Sequence, residues 1–471
     1  MTIPMTAPLV TITTSGTARL VASGLLAAVL AAAAGTAVAE GCASGCLAGT
    51  VADEFTADAA GLSREWILQL PAVAAGSRLA SVVVGDGLVV AQTSDGTVHA
   101  IQAAAFGDTP AVAGSPRPGT LLWSRRIASD GGPAVAAGIG RDLVAVPHGS
   151  GVSGLERLTG HTRWQVDLGH SPAPTAIVGD WVYAPNQGGA VTRMAVNPLR
   201  QPEPPQPTTA KRPGQAGKKA AKSALSKRRR KENLAPVKIH AGGSDRVELA
   251  PSPLADGVLW CTADGLLVSL QPAELDWRRQ EFSLVNPPSG PPAVRDRSIF
   301  AATTTGDLAR IELPTGLKDM QLSWHAVLRG PARSGPFLSG DAVVVSLGEL
   351  GIVAHSAETG AELWHTCLTG TILAVGGGRV WVIDELGKLS GFDLADGAAR
   401  ERLCMGPFTL PVVNGRSERL LLASPAGTLV SLTPRGGGGS PTPADTAPDG
   451  AVSDPAAPGR GPADPVAMPR P

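Results

Sequence analysis

Tyrosine is all but missing from this chain, and phenylalanine is rare: one Tyr and seven Phe stand in 471 residues, against nine Trp. Cysteine is scarce too. Cys42, Cys46, Cys261, Cys367 and Cys404 are too few and too scattered for a disulfide framework. No two of them are adjacent and none forms Cys-x-x-Cys, which excludes a thioredoxin-like redox motif. Net charge is zero, with 40 basic and 40 acidic residues, so no global field steers the chain toward nucleic acid or acidic substrates. Catalytic signatures are equally lacking: there is no Gly-x-Ser-x-Gly elbow, no His-Glu-x-x-His and no Walker A loop. The eight His are scattered, and His325 and His365 directly follow Trp residues, a place that suits packing or surface better than metal ligation. No catalytic, cofactor-binding or metal-binding residue is assigned.

What is present begins with an export signal. Arg19 is the only charge ahead of a small-apolar run from Leu20 to Ala34, and Ala37-Val38-Ala39 supplies a signal-peptidase pattern before Glu40. Residues 1–39 are therefore expected to be a signal peptide and 40–63 a linker. A retained membrane anchor is one alternative, since the run nearly spans a bilayer. A lipoprotein is another, because Cys42 and Cys46 follow closely; Glu40 before Cys42 fits a lipobox poorly. Export permits disulfides, with Cys42–Cys46 and Cys367–Cys404 as candidate pairs, the latter occupying similar places in consecutive repeats. Free or buried thiols remain the alternative for each.

The repeat dominates the rest. Asp95-Gly96-Thr97-Val98-His99-Ala100 joins a turn glycine to a short strand, and the same shape recurs at Gly151, Gly189, Gly265, Gly306, Gly351, Gly387 and Gly427. That makes eight units. A β-rich run precedes most of them, such as Val343-Val344-Val345-Ser346, with a further short strand before a turn like Gly85-Asp86-Gly87. A fourth strand follows, announced by Gly and then Trp: Gly119 to Trp123, Gly160 to Trp164 and Gly360 to Trp364 share one spacing. Trp277 and Trp324 read as the corresponding residues after looser loops, while the third and seventh repeats lack the Trp.

The count closes on itself. The eighth repeat ends at Leu432-Thr433-Pro434 with no fourth strand after it, and Glu65-Trp66-Ile67-Leu68-Gln69-Leu70 is a Trp strand without the first three strands of a repeat before it. An N-terminal strand that completes the last blade removes an exposed edge and shuts a ring. The expected fold is all-β: an eight-bladed β-propeller of four-stranded antiparallel blades over residues 64–434. Both faces of each blade are buried against neighbours, so apolar residues need not alternate strictly. A recurring Trp packs between blades with its indole N–H satisfied by a backbone carbonyl.

The Gly-xxx-Trp pattern after a strand-Gly-strand unit, as in Gly351 to Trp364, resembles the repeat of quinoprotein (PQQ-binding-like) dehydrogenases and their non-enzymatic relatives. The resemblance covers nearly all of the chain beyond the signal. It implies a propeller strongly and an activity weakly, because one fold hosts many functions. The family's alcohol dehydrogenases use adjacent cysteines beside the quinone and a calcium held by acidic and amide side chains; no two cysteines here are adjacent and no calcium ligand matches by motif. The expectation is an exported, periplasmic or envelope-associated, monomeric scaffold for protein partners, with no cofactor. The alternative is a PQQ-dependent enzyme or ligand sensor using PQQ with Ca²⁺, since channel loops could still enclose a ligand.

One segment breaks the repeat. Residues 198–236 are expected to form a disordered insertion from the third blade, ahead of a fourth strand near Val237-Lys238-Ile239. It opens Pro-rich, at Gln201 to Pro207, and Lys211 to Lys231 then carries ten basic residues and no acid. Lys218, Lys219, Lys222, Lys227, Arg228, Arg229, Arg230 and Lys231 are candidate contacts to an anionic surface. No aromatic is interleaved for base stacking, so no specific nucleic acid is expected. A solvated loop without a partner is the alternative. Residues 435–471, opening Gly436-Gly-Gly-Gly-Ser440 after Arg435 and rich in Pro and Ala, read as a disordered tail.

Overall fold

The computed structural model describes residues 54–71, 76–103, 116–127, 134–197, 237–242, 246–272, 277–314, 318–415 and 417–435. The signal segment, Cys42, Cys46, the eight candidate basic residues and the tail from residue 436 onward lie outside the described residues. The described chain folds into eight four-stranded antiparallel sheets. Blades 1 to 7 take consecutive strands, spanning 79–126, 138–167, 176–240, 252–283, 293–327, 334–366 and 371–404. Blade 8 takes Leu410–Pro411, Leu420–Ala423 and Thr428–Pro434, then borrows its outer strand, Leu62–Gln69, from the start of the chain. That strand pairs from Leu62 with Pro434 to Gln69 with Thr428, so the first and last strands of the propeller zip the ring shut. Eight blades and the closing strand are as the repeat count requires.

Burial explains why apolar residues do not alternate. Middle strands such as Leu88–Thr93 and Ile352–Ser356 are buried at every position, whereas outer strands such as Gln321–Val327 are largely exposed. The core is divided into eight apolar clusters, and each straddles one interface between consecutive blades. Eight interfaces for eight blades is the packing counterpart of closure.

The Gly-xxx-Trp motif links three blades at once. The Trp of one blade reaches forward: Trp66, Trp123, Trp164, Trp324 and Trp364 donate their indole N–H to the carbonyls of Ala103, Arg157, Val196, Ala357 and Leu394, at 2.8–3.2 Å, all in the next blade. The Gly reaches back. A Cβ built on Gly160 would lie 2.6 Å from the Trp123 ring, and one on Gly360 would lie 2.7 Å from Trp324. Both glycines also sit at positive φ, +69° and +74°, which a side chain disfavours.

Blade 4 corrects the reading of Trp277. In blades 1, 2, 5 and 8 the Trp stands three residues before the partner of the third strand's first residue, as Trp324 stands before Val327, the partner of Asp307; in blade 6, whose third strand starts one residue later, it stands two before. In blade 4 that partner is Ser283, opposite Leu266, and the place belongs to Gln280. Gln280 Nε2 donates to the Lys318 carbonyl of blade 5 at 2.6 Å, a shorter side chain making the same kind of bond. Trp277 instead turns to blade 3, meeting Trp181 edge-on at 5.9 Å with the Arg193 guanidinium 4.1 Å from its ring. The corresponding residue is Val237 in blade 3 and Glu401 in blade 7, neither of them Trp.

The bounds also move outward. The closing strand starts at Leu62 and is preceded by α1 (Glu54–Ala59), whose Ala57, with Ala60 just beyond it, is buried in the interface between blades 7 and 8. At the other end Arg435 belongs to the propeller: its backbone N–H donates to the Gly61 carbonyl at 2.6 Å, and its guanidinium pairs with Asp58. In blade 3 the fourth strand is Val237–His240, where it was expected.

Candidate functional site

Antiparallel order puts the connections between second and third strands, and those between blades, on one face of the ring. Most of these second-to-third turns are pinned the same way. The side chain just after the second strand accepts the backbone N–H four residues on: Asn186 from Ala190, Thr262 from Leu266, Thr303 from Asp307, Asp384 from Lys388 and Ser424 from Thr428, at 2.8–3.2 Å. Such side-chain-to-backbone bonds hold tight turns without further packing. The face is therefore built of preformed loops.

A cavity of about 320 Å³ opens on that face where blades 6, 7 and 8 meet. Arg333, Ser334, Ser346, Thr369, Thr371, Asp384, Glu385 and Thr409 are among its lining residues, drawn from blade connections and turns. Ser346 Oγ donates to the Gly370 carbonyl at 2.9 Å, while the Ser334 hydroxyl is buried with no hydrogen-bond partner among the described residues. Asp384 Oδ1 accepts the Leu386 and Lys388 amides at 2.9 and 2.8 Å, and its Oδ2 accepts from Arg402 at 3.3 Å. Those oxygens are engaged within the protein. The lining also holds no cysteine. The cavity offers hydroxyls, one guanidinium and the Asp384 and Glu385 carboxylates to a polar ligand or peptide.

The outer strands form a second surface. Seven of the eight carry at least one Asp, Glu, Lys or Arg, a common protection of free sheet edges. Blade 5 is the exception: Gln321–Val327, sequence QLSWHAV, carries none, and its Leu322 and Val327 are 51% and 76% exposed. At one end of that edge His325 Nε2 meets Asp307 Oδ1 at 3.0 Å. His365 Nε2 donates to the Leu350 carbonyl at 2.7 Å in blade 6. Both histidines tie an outer strand to a turn of its own blade.

The cysteines separate into distinct states. Cys261 is buried and free, and desolvation pushes its thiol up to about 12, with Asp264 adding to the effect. It is no nucleophile at neutral pH. Cys367 is exposed and free, whereas Cys404 is disulfide-bonded, so the pair Cys367–Cys404 is not formed. Cys404 ends an outer strand opposite Lys388, whereas Cys367 lies just beyond the outer strand that ends at Thr366, so the two places are not equivalent in pairing. Neither the cavity nor the blade 5 edge was legible as a motif. The cavity gathers residues from several separate segments, and the edge is marked by a lack of charge that only a strand alignment exposes.

An eight-bladed β-propeller of four-stranded antiparallel blades, with preformed loops on one face, is the class these features define. Residues 257–407, from the second strand of blade 4 to the end of blade 7, match the family model described as outer membrane protein assembly factor BamB. No curated protein matches the chain. Among solved structures it is similar to BamB from Moraxella catarrhalis, with 20% identity, a TM-score of 0.54, and coverage of 79% of this chain and 97% of that one. It is similar also to the computationally designed Ika8 protein, with 13% identity, a TM-score of 0.53, and coverage of 75% and 96%. Both likenesses are of fold.

Proposed function

We propose that this protein is an exported, non-catalytic scaffold of the cell envelope, BamB-like, which binds protein partners at its rim. The observation that carries the reading is the uncharged outer strand Gln321–Val327, with Leu322 and Val327 exposed beside free backbone groups. An extended partner segment can add there as a fifth strand, its main chain supplying affinity and its apolar side chains meeting Leu322 and Val327. The family description, an outer membrane protein assembly factor, supplies the context in which such partners are to be sought. The basic residues between Lys218 and Lys231 are proposed as a separate contact to an anionic surface.

The test replaces Leu322 and Val327 with Lys and compares capture of envelope proteins by native and variant chains. Charge on the edge is expected to cut capture of any specific partner at least about tenfold, a change of ~1.4 kcal/mol in binding. Equal capture by the two forms removes the edge from the proposal. The non-catalytic part is tested with PQQ and Ca²⁺: dye-linked alcohol oxidation at stoichiometric cofactor overturns it.

A further inference from the structure

We infer that the cavity between blades 6, 7 and 8 is a binding site for a short zwitterionic peptide, with Arg333 taking its terminal carboxylate and Glu385 its terminal ammonium. Arg333 precedes the first strand of blade 6, Glu385 stands on the second-to-third turn of blade 7, and both line the cavity. Neither side chain makes a hydrogen bond or ion pair with any of the described residues. The other carboxylate at the site is already used, since Asp384 holds its own turn through Oδ1 and accepts from Arg402 through Oδ2. Opposite charges that line one cavity without meeting leave room for a ligand that carries the complementary pair.

Both charged groups stand on fixed backbone. The Arg333 backbone N–H donates to the Ser346 carbonyl at 2.7 Å. Its stem passes Gly348, where a built Cβ would lie 2.8 Å from Arg333 Cγ, so the bare backbone there makes room for it. Glu385 follows Asp384, whose Oδ1 accepts the Leu386 and Lys388 amides, so the turn that presents it is pinned. The lining also supplies free hydroxyls. The buried Ser334 hydroxyl has no partner, and the side chains of Thr369, Thr371 and Thr409 bond to none of the described residues. A buried hydroxyl is costly to leave unpaired, and the amides and carbonyls of a peptide would complete it.

Size and charge together select the ligand. A volume of about 320 Å³ lies at the small end of the range for small-molecule sites and admits a few residues rather than a folded partner. A free amino acid carries its ammonium and carboxylate on one carbon. Arg333 and Glu385 belong to different blades and form no ion pair, so the ligand must span a gap, as the two ends of a short peptide do. Each end would then be held by charge-assisted hydrogen bonds, and Arg333 can grip a carboxylate through two of them. Leu350 and Leu386 stand on the turns that carry Gly348 and Glu385, 46% and 60% exposed. They offer an apolar rim to the peptide's side chains. The site is separate from the blade 5 edge and does not depend on strand addition there.

The experiment is calorimetric titration of the full chain with the tripeptide Ala-Leu-Ala, its N-acetylated form and its C-terminal amide. The free tripeptide is expected to bind with a Kd below about 1 mM, and blocking either end should weaken binding about tenfold or more. Arg333→Gln should bind acid and amide alike, and Glu385→Gln should bind amine and acetylated peptide alike. Both side chains are exposed, so the melting temperatures of the two variants should match the native one. The chain with Leu322→Lys and Val327→Lys should bind the tripeptide as the native chain does. No saturable binding of the tripeptide up to about 10 mM overturns the proposal. So does equal binding of all three forms, or full discrimination between them in both variants. Leucine binding as tightly as the tripeptide overturns the choice of a peptide, and loss of binding in the blade 5 variant overturns the placement.

Discussion

Trp123 of blade 1 lies against Gly160 of blade 2 and donates its indole N–H to the Arg157 carbonyl three residues upstream of that glycine, at 2.8 Å. One side chain thus reads the shape and the hydrogen-bonding of the next blade together. The same pairing joins Trp324 to Gly360 and Trp364 to Gly397. Because Gly160 and Trp164 stand four residues apart in one hairpin, each blade accepts a ring from behind and offers one ahead. The spacing read in the sequence is the signature of this relay.

Gly360→Ala should destabilise the propeller by about 2–4 kcal/mol, since the methyl would enter the Trp324 ring at a left-handed φ. Gly378→Ala separates the two causes. Gly378 has φ +72° and nothing within 4 Å of a built Cβ, so only the conformational cost of about 1 kcal/mol applies. Urea midpoints of the two variants check this. Equal losses would show that the Trp contact contributes nothing.

Trp364→Phe and Trp364→Ala divide the other half of the pair. Phe keeps most of the packing but leaves the Leu394 carbonyl without its donor, a loss of about 1–2 kcal/mol. Ala also empties the space between blades 6 and 7, for about 3–5 kcal/mol in total. Phe as damaging as Ala would mean that the hydrogen bond dominates, contrary to this account.

The sequence made the ring and its closure legible because both depend on periodicity: a Trp strand displaced to the start of the chain can belong only to the last blade. Position within a blade was harder. Trp277 follows a loop of plausible length, yet its hairpin from Leu266 to Ser283 pairs without the bulge that precedes Trp324 in blade 5, and Gln280 takes the interface place. Tertiary features had no local spacing to betray them. Arg333, Thr371 and Thr409 share a cavity only because three blades converge.

Deleting residues 203–234 should leave the melting temperature nearly unchanged. The strands on either side are already paired, with Arg193 opposite Val237, so a short connection suffices. Association with anionic vesicles should weaken, and the difference should shrink with salt, because charges are screened beyond about 10 Å at 0.1 M. A large loss of stability would mean that the segment packs on the propeller. Equal vesicle binding at low salt would remove the anionic contact.

His99 supplies a pH test of the packing between strands. It is buried on the third strand of blade 1, with Nδ1 2.6 Å from Ser124 Oγ on the outer strand. Desolvation holds its imidazole below the ordinary value near 6.5, and the Asp95 carboxylate opposes this only in part. The folded protein therefore binds the proton less readily than the unfolded chain. The neutral ring's contribution to stability is complete above the ordinary imidazole value and is lost as the pH falls from there through the folded value. Acidification from pH 7.5 to 5 should destabilise the native chain more than His99→Gln, which keeps a polar side chain at the site but does not titrate. Urea midpoints for both proteins at pH 7.5, 6 and 5 give the comparison. Parallel declines would assign the acid sensitivity to other groups and leave His99 a neutral packing residue throughout.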